Sequence, residues 1–191
     1  MRGTSYGLIV VVAVGLAVLG GRSFAAQDKY SLQVPNGLAF SEFQGYENWQ
    51  TVAVSQTEAA SVLRVILGNP AMIKAYREGI PGNGKSFPDG AKMAKIEWKQ
   101  KGITTAPFSL STPDTVPDSL EQVEFMEKDS KRFADSGGWG WAVFDYDAAS
   151  GTFTPGTLSG KPPQGNDAKC GLACHTIAKS KDLVFTAYAP R

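Results

Sequence analysis

The sequence predicts an α+β domain in which one antiparallel β-sheet carries a few short helices. Three observations lead there. Several segments are rich in β-branched and aromatic residues, or alternate apolar with polar, and turn-forming residues separate them. Asn69-Pro70 and Gly79 bracket a segment with the chemistry of helix termini. No repeat, low-complexity tract or linker divides the chain, and 191 residues with 42% hydrophobic content suit one sizeable core.

Residues 1–25 read as a secretory signal peptide, with an uncleaved membrane anchor as the competing reading. Arg2 is the only charge before the apolar run Leu8–Gly20, which falls short of the ~20 residues of a membrane-spanning helix. Ser23 and Ala25 fit a small-residue cleavage site. Cleavage after Ala25 leaves a mature domain, 26–191, that is periplasmic or secreted and has no membrane segment. Losing Arg2 and Arg22 takes the formal charge from +1 to −1. That balance excludes a basic nucleic-acid-binding surface.

Along the mature chain, Leu38–Trp49 suits a short helix broken at Gly45. Thr51–Val54 and Ser61–Leu67 are β-favouring, with SQTEAA between them as a hairpin connection; a helix over Thr57–Leu67 is the competing reading. Asn69 caps a helix over Pro70–Glu78 that stops at Gly79. Residues 79–90 form a loop. Ala94, Ile96 and Trp98 alternate with Lys95, Glu97 and Lys99, a half-buried strand. Residues 102–119, rich in Thr, Ser and Pro, read as a surface loop. Gln122–Asp129 is strand-like, with an acid and base content that also suits a helix; Lys131–Gly138 is a polar turn, and Trp139–Tyr146 a buried strand. A turn at Ala148–Gly151 and a loop at Gly156–Asp167 follow. A last helix spans Cys170–Ala178, and Leu183–Tyr188 is a strand or extended tail.

Two cysteines and one histidine are rare, and all three fall within CGLACH, at Cys170, Cys174 and His175. One histidine excludes HExxH zinc proteases and bis-histidine haem sites. Three readings of the cluster remain. In covalent haem attachment two thiols add to the vinyl groups and the adjacent histidine holds the iron. The usual spacing is C-x-x-C-H. Here one more residue intervenes, which swings His175 about 100° further round an ideal helix. The second reading is a Cys170–Cys174 disulfide, since an i,i+4 pair places Cα atoms about 6 Å apart. It would serve a structural or binding domain. The third is a metal site completed by Asp167. With haem, an open sixth position is favoured, because Met72, Met93 and Met126 all precede the motif and none follows it as a downstream ligand. An open position favours binding or activating a small molecule.

Four segments resemble the cytochrome P-460 family, which includes the cytochromes c-prime-beta. They are RVILGNPAMIKAYREG (64–79), FPDGAKMAKIEW (87–98), GWGWAVFDYD (138–147) and CGLACHTIAKSKDLVFTAY (170–188). The resemblance implies a periplasmic protein with one covalent haem c per chain, an antiparallel sheet with helices, and a homodimer. His175 is then the proximal iron ligand, and Cys170 and Cys174 tether the porphyrin. Members oxidise hydroxylamine, passing electrons to an acceptor cytochrome, or bind nitric oxide without turnover. In the enzymes a lysine is bonded to the porphyrin edge. Lys95 is the best positional match, ahead of Lys92 and Lys85, though its alternation also suits a solvated face. Arg64 is a donor to a haem-bound ligand or a partner for a surface carboxylate. Glu97 and Glu124 are proton acceptors or solvated strand residues. Phe87 and Phe43 form a distal apolar cap or ordinary core.

Overall fold

A computed structural model of the chain describes residues 27–34, 37–57, 61–103, 114–156 and 170–190. The expected signal peptide, Asp167 and most of the 156–167 loop lie outside these residues. The described strands are β1 (Gln50–Thr57), β2 (Val62–Gly68), β3 (Lys92–Ile103), β4 (Asp114–Lys128), β5 (Trp139–Asp147) and β6 (Thr152–Pro155). They form one antiparallel sheet in the order of the sequence, β1 to β6. The α+β expectation holds, with the sheet dominating. Among the described residues no helix is long and apolar enough to cross a membrane.

The sheet buries both faces. On one, the N-terminal segment packs its Phe40 and Phe43 on Phe125 and Phe144. Phe40 meets Phe125 edge-on at 5.1 Å, and Phe43 stacks on it at 4.1 Å. This segment is two 3-10 turns, Phe40–Phe43 and Tyr46–Asn48, rather than an α-helix. Gly45, at φ 80, separates them as expected. The other face carries α1 (Pro70–Arg77) and the C-terminal segment on a core of Ile66, Met93, Met126, Trp139 and Trp141.

Helix α1 begins as its sequence requires. The Asn69 side chain accepts from Met72 N at 2.9 Å, and Pro70 takes the first position. The same oxygen accepts from Lys92 N at 3.1 Å, and Asn69 Nδ2 donates to Gly90 O at 2.8 Å. One asparagine therefore starts the helix and joins it to the beginning of β3.

The 102–119 loop is corrected at its two ends, where β3 runs on to Ile103 and β4 begins at Asp114; residues 104–113 of it lie outside the described residues. Pro117, opposite Gln100, is tolerated because β4 meets β5 only from Gln122 onward. Strand β6 was not foreseen. Four residues pairing with the end of β5 leave little periodicity to read. The last helix is α2 (Cys170–His175), continued as a 3-10 turn over Thr176–Lys181. The tail after it is extended but outside the sheet.

Candidate functional site

Helix α2 lies against β5, and Gly171 permits the approach. A Cβ there would come within 2.2 Å of the Trp141 ring. His175 follows at the end of α2, its ring centroid 5.3 Å from Trp141 and 4.7 Å from Phe185. Its Nδ1 lies 2.7 Å from the carbonyl oxygen of Leu183. A carbonyl only accepts, so Nδ1 carries the proton and Nε2 keeps its lone pair. Burial is the largest influence on the imidazole and lowers its pKa. The Leu183 hydrogen bond opposes this, and the nearby positive charge of Lys95 adds to it. A neutral imidazole with its distal nitrogen anchored to the backbone is the form that binds a metal ion.

Beside His175 opens a cavity of about 510 Å³. Opposite residues of an antiparallel ladder share a face, and two cross-strand rows reach its floor. Ser55, Arg64, Glu97, Gln122 and Asp145 form one, crossing β1 to β5. Ile66, Lys95, Glu124 and Val143 form the next. Arg64, Glu97, Lys95 and Glu124 are bonded to one another. Glu97 accepts from Arg64 Nε at 2.5 Å and from Gln122 Nε2 at 2.8 Å. Lys95 Nζ lies 2.6 Å from Glu124 and 3.2 Å from Glu97. Gln122 also donates to Glu124 at 2.7 Å.

Arg64, Lys95, Glu124, Cys174 and His175, far apart in sequence, all line this cavity. Glu97 does not; it lies beneath Arg64 and Lys95, only 6% exposed, where it holds both cations. Phe87 also stays outside. It packs in the core between Tyr76 and Trp139, at 5.1 and 5.9 Å. Phe43 is on the opposite face of the sheet. So is Lys92, which donates to Glu42 O at 2.8 Å and lies over the Phe43 ring. Lys85 is exposed in the loop after α1. Of the three lysines, Lys95 alone reaches the cavity. Cys174 is exposed at its wall, and the Cys170 side chain lies outside what is described.

Sequence reasoning missed Trp141, Gln122, Asp145 and Phe185 as cavity residues. Gln122, Glu124 and Met126 have the period-two spacing of one strand face, a legible signal. Which face they shared with Arg64 depended on the register between strands.

The donor set fits a haem. One anchored neutral imidazole faces a cavity with apolar and aromatic walls, and a thiol stands one residue before it. The Trp141 Nε1 is buried and has no partner among the described residues, so the wall also offers a polar donor to a bound group. Among the described residues no group of three or more His, Cys, Asp or Glu side chains is placed to hold a bare metal ion. Residues 43–186, spanning all six strands and α2, match the model of the family described as Cytochrome P460. No curated protein matches the chain.

Proposed function

Because the chain belongs to the cytochrome P460 family, whose members are haem c proteins, we propose that it converts hydroxylamine or a related small nitrogen species by redox chemistry. It would do so in the periplasm and pass electrons to an acceptor cytochrome. The observation that carries this reading is the meeting of His175, Cys174, Lys95, Arg64 and Glu124 around one cavity. A bound haem would supply an iron that changes redox state and can bind a small ligand.

The chain's residues then divide the work. His175 would hold the iron through Nε2, with Nδ1 held by Leu183. Cys170 and Cys174 would tether the porphyrin. Arg64 uses Nε on Glu97, which leaves its Nη groups to donate to a ligand in the cavity. Glu124, with carboxylate oxygens near Lys95 and Gln122, is the better-placed proton acceptor, and Glu97 positions Arg64. Lys95 is assigned as the lysine bonded to the porphyrin edge, on the ground of its place in the cavity wall.

The test is to express the chain with haem-maturation machinery and record intact mass and visible absorption. One haem on the polypeptide and a red-shifted Soret band that is lost in Lys95→Ala are expected. Haem with an ordinary c-type spectrum would overturn the lysine bond and turn the reading to nitric oxide binding without turnover. A polypeptide without haem mass would sink both, leaving a disulfide-stabilised domain.

A further inference from the structure

On the far side of His175 from the cavity floor, the turn Asp182-Leu183 is held in an unusual shape. Both residues have positive φ, 52° and 63°, and neither is glycine. This is the left-handed region that side chains disfavour. The turn supplies the carbonyl to which His175 Nδ1 is bonded. Backbone hydrogen bonds from Leu183 N to Ala178 O at 3.0 Å and from Val184 N to Lys181 O at 3.1 Å close it, and a buried ion pair braces it from the side. Lys128, at the end of β4, is 6% exposed. Its Nζ lies 2.9 and 3.1 Å from the two carboxylate oxygens of Asp182, and it donates to Gly137 O at 2.9 Å. Asp182 accepts a further bond from Phe87 N at 2.8 Å. Two consecutive glycines make the room. A Cβ on Gly137 would meet Leu183 Cδ1 at 2.8 Å, and one on Gly138 would meet Lys128 Cε at 3.2 Å.

We propose that Lys128 and Asp182 are positioning residues for His175, bracing the Leu183 carbonyl so that the imidazole keeps Nδ1 protonated and Nε2 presented to the cavity. The consequence for an iron ligand rests on the haem reading above; the hold on the imidazole does not. A firm Nδ1–H bond to a carbonyl makes Nε2 more basic. A basic ligand favours the ferric state, so loosening the brace raises the midpoint potential. Phe87, read from the sequence as a distal cap or ordinary core, contributes its backbone N–H to the brace.

His175 is the sole histidine of the chain, so one imidazole signal reports on it. The experiment measures its tautomer by nitrogen-15 NMR in the full chain made without haem maturation. The haem-loaded chain gives the midpoint potential. The variants are Asp182→Asn and Lys128→Met, with Glu42→Gln as a control that weakens an ion pair on the opposite face of the sheet. In the parent the Nδ1–H form is expected to dominate. In both brace variants it falls to a minority and the potential rises, while the control leaves both readouts unmoved. An Nε2–H tautomer in the parent overturns the proposal. So does an unchanged tautomer in the folded variants, and so does loss of the fold in both, which would make the pair a prop of the fold alone. If no haem is attached, the proposed function fails, and the tautomer still decides the brace.

Discussion

Glu97 shows how a single side chain changes meaning between sequence and structure. By alternation it belongs to the polar side of β3. In the folded chain that side faces the cavity floor, and Glu97 is buried under two cations. Glu97→Ala is expected to cost about 2 kcal/mol, the range for losing hydrogen bonds to a charged group. Arg64 and Lys95 remain partly solvated, which keeps the loss below that of a fully buried pair. Denaturant unfolding measures it. The same variant should weaken binding of a small ligand by freeing Arg64, whereas Glu124→Gln should slow proton-dependent turnover and leave stability nearly unchanged. Gly171 is a second such residue. Gly171→Ala places a methyl group within the Trp141 ring and is expected to cost about 1–3 kcal/mol. A fall in thermal midpoint together with a lower haem yield would show that α2 had been lifted from β5; an unchanged midpoint would contradict the close packing.

Among the elements, α1 was legible because its ends are local chemistry. Asn69, Pro70 and Gly79 act on their own backbone and neighbours. What local chemistry could not reveal is that Asn69 also joins α1 to β3. Asn69→Ala therefore removes more than a cap and is expected to sit at the upper end of the cap range, about 2 kcal/mol. A shift of the urea midpoint at constant slope would measure it. The β3–β4 pair went the other way. Its Thr, Ser and Pro content reads as loop, yet pairing extends to Ile103 and Asp114. Strand formation there comes from a partner strand, and composition is a weak guide to it. Helix α2 lay between these cases: its existence was legible from CGLACH, its early end and 3-10 continuation were not.

At the level of the molecule, the sheet separates two cores, and each holds a buried tyrosine. Tyr46 lies in the core under the N-terminal segment and Tyr76 in the core under α1. Burial raises both phenols well above the ordinary range, with the negative charge of Glu47 adding to the rise at Tyr46. An acid raised on folding stabilises fully below its unfolded pKa and loses that contribution as pH climbs toward the folded value. Stability should therefore fall above about pH 10, by roughly 1.4 kcal/mol per pH unit for each phenol. Tyrosinate absorbance should show both ionising only with unfolding, and early ionisation in the folded chain would contradict the burial. The division between what was and was not legible follows from the range of the forces. Alternation, caps, the rarity of cysteine and histidine, and the four family-like segments are properties of neighbours along the chain. They sufficed for the sheet, most of its strands, the family and the His175 motif. Register across strands and the packing of α2 on Trp141 are long-range. They alone put Lys95, Arg64 and Glu124 in one cavity, moved Glu97, Phe87 and Lys92 away from it, and set Lys128 behind the Leu183 carbonyl. A one-residue slip in register would turn each strand's side chains to the other face without changing one local preference.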